Sequence, residues 1–430
     1  MSPSNTFDAA AMGAQFPLIA AGRLEDKPLA YLDNAATTQK PTCVLSSLER
    51  YYRCENANAD RGAYPLALTS TKRYERARRT AARFIGADVD EIVFTSGATA
   101  GLNLVAYSWG MAHLEPGDEV ALTMAEHHSN LLPWQQVAQL KGAKLVYLLL
   151  DEQGMVPDEE IDAKIGPRTK IATVAHVSNV LGSVLPVRRI ADAVHAHGGV
   201  LVADCAQSVA HLPVDVQALG ADFLAFSGHK MFGPQGIGVL YGRRALLSQM
   251  APLLRGGGMI DSVFEQSATF ADAPARFEAG TPNIAGAVGL AEAMQFMLGV
   301  GYDAVRAHER HLLERLLNGL AALPAVRVHG APALGTGPCG PNGEVGRCAV
   351  ASFNVSGVDA NDVAAALARD NIAIRAGAHC AEPLVRFLGE RSTCRASLAL
   401  YNTDEDVDRL LEGLEHAKRT VSRMIMASMH

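Results

Sequence analysis

The chain has 430 residues, which is more than one compact core usually holds, and we therefore expect two domains. Hydrophobic residues make up 49% and charged residues 19% of the chain, a composition typical of globular rather than disordered proteins. The net charge of −7, without a long basic run, argues against nucleic acid and anionic membranes as main partners.

Cysteine usage and the N-terminal region indicate the compartment. Seven cysteines are scattered along the chain and none forms a CxxC pair, which favours a reducing compartment. The apolar residues 9–21 are interrupted by Gly13, Gln15 and Pro17 and lack a basic lead, so they make a poor signal peptide. No apolar stretch reaches the ~18 residues of a membrane span. We therefore expect a cytoplasmic protein.

Short apolar strands alternate with helical stretches between residues 91 and 242. The strands are predicted near residues 92–94, 120–122, 145–147, 171–174, 200–203 and 223–226. Continuous apolar strands separated by helices predict a mostly parallel sheet that is covered on both faces. The ligand site of such a sheet lies at the carboxyl ends of its strands, where several polar clusters follow directly.

The pattern changes after residue 294. A long amphipathic helix is predicted over residues 304–323, followed by strands and helices that predict a smaller α/β domain. We divide the chain into three parts: an N-terminal segment, residues 1–27, that packs with the small domain; a large domain, residues 28–293; and a small domain, residues 294–430.

Two polar clusters follow early strands. Residues 94–99 run from a strand into a helix, and the free N–H groups at such a helix start, around Ala98 and Thr99, are suited to bind phosphate. Many turns of this kind bind nothing, so this motif alone is weak. His127 and His128 follow another strand, but adjacent side chains diverge and the sequence offers no third ligand, so we expect no metal. Stacking of a flat imidazole on an aromatic cofactor fits His127 better.

Two ionisable residues stand at the ends of successive strands. Asp204 follows four apolar residues, where helix capping is the commoner role of an aspartate. Lys230 follows a buried strand, and burial lowers the pKa of a lysine into the range that suits Schiff-base chemistry. An acid that protonates a pyridine nitrogen, together with such a lysine, favours a pyridoxal-5′-phosphate (PLP) site.

Three later residues complete the candidate site. Asn179 and Arg395 supply an amide and a guanidinium that suit a substrate carboxylate, although a structural salt bridge explains Arg395 equally well. Cys380 lies in a loop of small residues beside Arg375 and His379, which predicts a readily ionised thiol. The alternative for Cys380 is an ordinary half-buried cysteine.

Together these segments resemble the class V aminotransferase-like PLP family, and more narrowly the SUF-type cysteine desulfurases, close relatives of the selenocysteine lyases. The resemblance covers residues 16–418. It rests on an ordered set of motifs at residues 31–37, 126–130, 176–182, 227–230, 276–283 and 394–401. It implies the PLP-dependent transferase fold (aspartate aminotransferase-like, fold type I), with a large mostly parallel-sheet domain and a smaller C-terminal α/β domain.

The resemblance also implies roles for individual residues. Lys230 holds PLP covalently, Asp204 pairs with the pyridine nitrogen and His127 stacks on the ring. Gln207 contacts the phenolic oxygen. The phosphate is held by Ala98, Thr99, Ser227 and His229, together with Thr281 of the partner subunit. The substrate is bound by Asn34, Asn179, Arg375 and Arg395.

The implied reaction converts L-cysteine to L-alanine and leaves the sulfur on Cys380 as a persulfide. We expect Lys230 to be the sole lysine of the site-forming segments and to move protons at the α carbon. The expected partners are L-cysteine, a second subunit in a homodimer and a sulfur-acceptor protein, with L-selenocysteine as a further substrate. The sulfur could serve iron–sulfur cluster assembly, thiocofactors or storage.

Three alternatives remain open at this point. Two are enzymes of the same fold, a selenocysteine lyase and a C–S lyase, and the presence of Cys380 favours desulfuration over the latter. The third is a non-catalytic scaffold of a sulfur pathway, against which intact Lys230 and Asp204 argue. The sequence also departs from the family pattern at four positions, which are Asp60, Tyr64, Ser96 and Ala378.

Overall fold

The computed structural model describes residues 7–24, 26–59, 62–331 and 346–428, with side chains as far as residue 416. Asp60, one of the departures from the family pattern, lies outside the described residues. The fold consists of a larger α/β unit around a seven-stranded sheet and a smaller unit around a four-stranded sheet.

The seven-stranded sheet forms the centre of the larger unit. Its strands lie in the spatial order Ile92–Thr95, Gly238–Gly242, Phe223–Ser227, Val200–Asp204, Thr169–Ala175, Glu119–Thr123 and Lys144–Leu148. Gly238–Gly242 runs antiparallel to its two neighbours, and the other pairs are parallel. The central strands are buried along their length, as expected when helices cover both faces. The predicted mostly parallel sheet is confirmed.

Helices cover the two faces of this sheet. Pro65–Ile85 illustrates how the sequence sets their limits, since a proline stands at its first position and Gly86, with φ of 70°, ends it in the left-handed region. One face is covered mainly by Thr42–Arg50, Pro65–Ile85, Val187–His195 and Ile284–Val300, and the other by Ala98–Val105 and Leu132–Lys141. Shorter helices are Ala9–Gly13, Pro17–Ala21, Met111–His113, Asp158–Lys164, Val216–Leu219 and Arg244–Leu247, and π-helical turns are Tyr51–Glu55 and Ala106–Gly110.

Helix Tyr302–Ala322 leads into the smaller unit. Its antiparallel sheet has the spatial order Val326–Val328, Val350–Val355, Thr393–Ser397 and Arg375–Gly377. The remaining helices are Ala360–Ala368, Glu382–Phe387 and Asp404–Ser428. Three two-stranded pairs complete the fold: Arg23–Leu24 with Lys27–Pro28, Ile260–Val263 with Ala268–Phe270, and Ala30–Tyr31 with Ile372–Ala373.

N-terminal residues join the two units. Phe16 packs edge-on against Phe232 and Tyr401, and therefore enters the core of the larger unit as well. Ala30 and Leu32, which the sequence-based division places in the large domain, are buried in the core of the smaller unit. The domain boundaries stay a prediction, and the N-terminal segment crosses them.

No single helix in the described part of the chain is long and apolar enough to span a membrane. Ile284–Val300 and Tyr302–Ala322 reach the required length and hydropathy only as a pair that is bent by 79°. Most residues of Ile284–Val300 are buried in the protein core.

Candidate active site

A cavity of about 200 Å³ lies between the carboxyl ends of the large sheet and the smaller sheet. It brings together all of the predicted site residues except Asn34 and Thr281. These lining residues are Ala98, Thr99, His127, Asn179, Asp204, Gln207, Ser227, His229, Lys230, Arg375, Cys380 and Arg395. Their convergence from distant positions is what the strand-end rule for parallel sheets predicts.

Asp204 and Lys230 come from neighbouring parallel strands. Asp204 ends Val200–Asp204, and Lys230 lies in the turn after Phe223–Ser227. Burial raises the pKa of Asp204, and the charge of Lys230 opposes that shift. Burial lowers the pKa of Lys230, while Asp204 opposes this shift in turn. A lowered pKa favours the neutral form that a nucleophilic or basic amine needs.

A cradle for an anion lies at the start of helix Ala98–Val105. The backbone N–H of Ala98 donates to Ser227 Oγ at 2.8 Å, and the hydroxyls of Thr99 and Ser129 share a hydrogen bond of 2.7 Å. A β carbon at Gly97 would approach Ser227 Oγ to 3.1 Å, so glycine keeps this cradle open. Ser129 lines the cavity but was not predicted, although its hydroxyl directly follows the histidine pair in the sequence.

The ring of His127 is held in one orientation by its own turn. Its Nδ1 accepts a hydrogen bond of 3.0 Å from the backbone N–H of Ser129, so the neutral ring carries its proton on Nε2. Burial, together with the charge of Lys230, lowers the pKa of His127 to about 3. Buried Glu126 supports the turn by accepting a hydrogen bond of 2.6 Å from the amide of Asn130. A flat, neutral ring therefore faces the cavity.

Gln207 and Asn34 differ in their access to the cavity. The Gln207 amide lines the cavity and donates to the carbonyl of Ala35 at 2.9 Å. Asn34 lies behind it, where its amide donates to Ser397 O at 2.7 Å and to Asn402 Oδ1 at 3.0 Å. The predicted substrate contact of Asn34 has no support in this geometry, because its amide is engaged in joining the two units.

Arg395 and Asn179 form a buried polar corner of the cavity. Arg395 donates from Nη1 to Asn179 O at 2.9 Å and from Nη2 to Asp33 Oδ1 at 3.2 Å. The structural salt bridge considered for Arg395 is therefore present. Its Nε and the Asn179 Oδ1 nevertheless have no hydrogen-bond partner within the described residues. Unpaired buried polar atoms beside a cavity are expected where a polar ligand completes the site.

The loop after strand Arg375–Gly377 carries the candidate nucleophile. His379 and Cys380 have φ values of 52° and 56°, a left-handed conformation that costs about 1–2 kcal/mol for each residue with a side chain. Two hydrogen bonds to backbone carbonyls hold the loop against the larger unit. The backbone N–H of His128 donates to Cys380 O, and the side-chain amide of Asn179 donates to His379 O, both at 2.7 Å. The thiol end of the loop is exposed.

The sulfur of Cys380 lies within electrostatic reach of two cations. Burial lowers the pKa of Lys230 and that of Arg395, and a negative charge on Cys380 opposes both shifts. His379 does not contribute the positive charge that the sequence predicted. Its Nε2 is hydrogen-bonded to Thr393 Oγ1 at 2.9 Å, and burial next to Arg395 lowers the pKa of His379 to about 3. The expected role of His379 is wrong, because the buried ring stays neutral.

A second lysine lies beside the site, although it does not belong to the residues that line the cavity. The ammonium of Lys40 is 3.2 Å from the carbonyl oxygen of His229, the residue before Lys230. Lys40 precedes the first long helix and shows no motif that would have marked it in the sequence.

Thr281 lies in a separate and larger cleft of about 1040 Å³. The start of its loop is held by Glu278, which accepts hydrogen bonds of 2.7 and 2.9 Å from buried Arg78. The predicted phosphate contact of Thr281 of the partner subunit stays a prediction.

Within the described ranges, no group of three or more histidine, cysteine, aspartate or glutamate side chains is arranged to hold a metal ion. Tyr64 and Ser96 are exposed, and Ala378 is half-buried just outside the cavity lining.

The sequence matches the family Aminotransferase class-V over residues 30–410. The chain belongs to this family. It is 47% identical to a probable cysteine desulfurase of Halalkalibacterium halodurans over 91% of this chain and 93% of the relative. A probable cysteine desulfurase of Staphylococcus epidermidis is 44% identical over 97% of this chain and 98% of the relative.

Two solved structures show the same fold within the family. The cysteine desulfurase CsdA from Escherichia coli superposes with a TM-score of 0.87 at 38% identity, covering 97% of this chain and 100% of the other. The apo cysteine desulfurase from Thermococcus onnurineus gives 0.86 at 38% identity, covering 94% and 96%. The predicted family and fold are confirmed.

Proposed function

We propose that this protein is a PLP-dependent cysteine desulfurase that converts L-cysteine to L-alanine and receives the sulfur on Cys380. The observation that carries the proposal is the single cavity that joins Lys230, Asp204 and Cys380. Relatives named cysteine desulfurase, 43–47% identical over more than nine-tenths of the chain, support it.

The residues of the cavity fit PLP. The N–H groups and hydroxyls around Ala98 and Ser227 suit a phosphate, the neutral ring of His127 suits an aromatic face, and the buried carboxylate of Asp204 suits a protonated ring nitrogen. Lys230 would hold the cofactor. When bound, PLP supplies an electron sink for charge that develops at the carbon atoms of the substrate.

The polar corner around Arg395 suits the carboxylate of the substrate. Arg395 is 2% exposed, and among the described residues its Nε and the Oδ1 of Asn179 have no hydrogen-bond partner. Arg375 lies opposite Arg395 on the neighbouring antiparallel strand, so a second cation stands on the same side of the cavity. A planar guanidinium binds a carboxylate in a defined orientation, so the sulfur end of the substrate is left free to point elsewhere.

Proton transfer falls to Lys230 once its amine is free. Its lowered pKa allows it to take the proton from the α carbon and to return a proton to the product. The charge of Lys230 and the N–H of Ala206, which donates to Asp204 Oδ1 at 2.9 Å, favour the charged form of Asp204 and oppose the rise in its pKa that burial causes. Lys230 therefore moves the proton, and Asp204 supplies the carboxyl group that suits the ring nitrogen.

Sulfur transfer falls to Cys380. Its thiolate attacks the sulfur of L-cysteine, forming an S–S bond as the carbon–sulfur bond breaks. The electron pair of the broken bond remains on the carbon and takes up a proton, which gives L-alanine, and Cys380 becomes a persulfide. Buried Arg395 interacts electrostatically with Cys380, which places a cation near the attacking sulfur.

The exposure of Cys380 also supports delivery of the sulfur to an acceptor protein, since an exposed persulfide can be reached by a partner. A homodimer, in which Thr281 of the partner subunit completes the phosphate site, belongs to the same proposal. So does a cytoplasmic location, which is consistent with free thiols at Cys43, Cys54, Cys205, Cys380 and Cys394. L-Selenocysteine is the further substrate, because its carbon–selenium bond needs less help from a protein thiol.

Mass spectrometry of the protein after incubation with L-cysteine tests the proposal. The wild type should gain one sulfur, mapped to Cys380, and release L-alanine. Cys380→Ser should bind PLP but lose the added sulfur and most alanine production. Cys54→Ser, which removes another exposed thiol, is the matched control and should behave as the wild type.

Three outcomes would redirect the assignment. Wild-type alanine production by Cys380→Ser would show that Cys380 does not receive the sulfur. Pyruvate and sulfide as products would identify a C–S lyase, and turnover of L-selenocysteine alone would identify a selenocysteine lyase. Full activity of Lys230→Ala would contradict PLP chemistry altogether.

A further inference from the structure

The turn that carries Lys230 continues into a strained residue. Gly228–Lys230 forms a 3-10 turn, and Phe232 two residues later has φ of 66° although its side chain is fully buried. A bulky residue with positive φ is a genuine backbone outlier. Such a conformation persists only where surrounding contacts hold it, and these strained positions cluster at functional sites.

Thr38 provides one of these contacts. Its hydroxyl accepts a hydrogen bond of 2.7 Å from the N–H of Phe232 and donates to the carbonyl oxygen of His229 at 3.2 Å. The backbone N–H of Thr38 donates to the same oxygen at 3.0 Å. Residues on both sides of Lys230 are therefore tied to one threonine from the N-terminal part of the chain.

Two further donors converge on the same carbonyl. Thr37 Oγ1 lies 3.1 Å and Lys40 Nζ 3.2 Å from His229 O, and the Lys40 ammonium also donates to the carbonyl of Thr38. A carbonyl oxygen has two lone pairs, so four donors around one oxygen are more than an ordinary turn provides. This oxygen belongs to the peptide group that joins His229 to Lys230, and its orientation sets the direction of the Lys230 side chain.

Protein stability does not account for the ammonium at Lys40. Burial lowers the pKa of Lys40 to about 8, and no carboxylate in the described part of the chain offsets that shift. Within the described ranges, His229 next to Lys40 supplies no anion, because burial lowers its pKa to about 4. Tyr31 and Tyr401, which interact with the neighbouring Gln39, supply none either, because burial raises the pKa of Tyr31 to about 12 and that of Tyr401 well above its usual value. Even a half-buried cation without a counter-ion loses hydration and does not stabilise the folded state.

We infer that Lys40 is a positioning residue that fixes the His229–Lys230 peptide, and with it the reactive amine. This inference rests on the proposed role of Lys230. The donors of Thr37 and Thr38 hold the turn, and the ammonium of Lys40 adds a charge-assisted hydrogen bond that neutral side chains cannot supply.

Three variants test this role. Lys40→Met keeps the length of the side chain without the charge, and Lys40→Arg keeps the charge. Lys164→Met is the matched control, because Lys164 is also half-buried and donates to a backbone carbonyl, that of Tyr147 at 2.6 Å, outside the cavity lining.

The measurements separate positioning from folding. In Lys40→Met, added PLP should attach to the apo-protein about 10-fold more slowly, or slower still. Attachment is measured by absorbance and by protein mass after borohydride reduction. The kcat of Lys40→Met should fall by about 10- to 100-fold with KM unchanged. Its melting temperature should equal or exceed that of the wild type. Lys40→Arg should recover most of the attachment rate, and Lys164→Met should match the wild type.

The pH dependence of the PLP attachment rate supplies a test that does not need the Lys40→Met variant. Lys40 loses its proton as pH rises through about 8, whereas arginine stays charged. The ratio of the wild-type attachment rate to that of Lys40→Arg should therefore fall above about pH 8. Comparison with Lys40→Arg removes the titration of Lys230, which both proteins share.

Three results would overturn the inference: wild-type attachment and kcat in Lys40→Met, loss of activity in step with melting temperature, or a pH-independent ratio between wild type and Lys40→Arg. None of these would touch the proposed function, which instead fails if Lys230→Ala remains active.

Discussion

The two sides of the cavity are built differently. On the side of the large sheet, Glu126 and Asp204 are buried at strand ends, and burial shifts the pKa of each carboxyl group upward. On the side of the small sheet, Cys380 is exposed on a left-handed turn held by backbone hydrogen bonds to the larger unit. Arg395 lies between the two sides, buried but attached to the small sheet.

This difference reflects two physical requirements. A group whose pKa must differ from its value in water needs burial, and the centre of a parallel sheet provides it. A thiol that receives sulfur and passes it to another protein must instead be reachable from solvent. Substitutions on the two sides should therefore have different consequences.

The largest effect is expected for Asp204→Ala on the buried side. Loss of the fixed anion should lower kcat by about 10³-fold, which corresponds to about 4 kcal/mol of barrier, while PLP remains bound through Lys230 and the phosphate cradle. Steady-state kinetics and the absorbance of bound cofactor measure both quantities. A kcat near that of the wild type would show that the buried carboxylate has only a structural role.

Glu126→Gln should change how stability depends on pH. Burial raises the pKa of Glu126 from 4.5 to about 7, so the folded protein binds this proton more tightly than the unfolded chain. The stabilisation of the folded state by this proton is fully present below about pH 4.5. It is lost as pH rises through about 7, and the loss amounts to at most about 3 kcal/mol. Denaturant unfolding of both proteins between these pH values should show the wild type losing stability relative to Glu126→Gln. Parallel curves would argue against a buried, protonated carboxyl group.

Arg395→Lys tests the residue between the two sides. A compact ammonium cannot reproduce the planar fork, so KM for L-cysteine should rise by about 10-fold, or about 1.4 kcal/mol, with a smaller change in kcat. Arg375→Lys is the comparison, and half-buried Arg375 should show the weaker effect. Equal effects of both substitutions would indicate that charge alone binds the carboxylate.

The smallest effect concerns backbone strain on the exposed side. Cys380→Gly and Cys380→Ala both remove the thiol, but only glycine adopts the left-handed conformation without strain. The free energy of unfolding of Cys380→Gly should therefore be higher than that of Cys380→Ala by about 1 kcal/mol. At Cys54, in the helical turn Tyr51–Glu55, the order should reverse, with alanine more stable by about 0.5–1 kcal/mol. The same order at both positions would mean that the Cys380 loop is not strained.

The sequence by itself determined the fold and most of the buried side of the site. Alternating apolar strands and helices predicted the parallel sheet, and the strand-end rule placed Asp204 and Lys230 together, because strand periodicity and burial are local properties of the chain. Local residue context also marked Cys380 and Arg395, and the structure brings both to the same cavity.

Only the tertiary structure decided which side chains are charged and which are free to reach a ligand. Asn34 carries a promising motif, yet its amide is used in hydrogen bonds that join the two units, and His379 is a neutral buried ring rather than a cation beside the thiol. Lys40 has no motif at all, yet folding brings its ammonium to the carbonyl before Lys230. Burial and hydrogen bonding between residues far apart in the chain set these properties, and neither is encoded in local spacing.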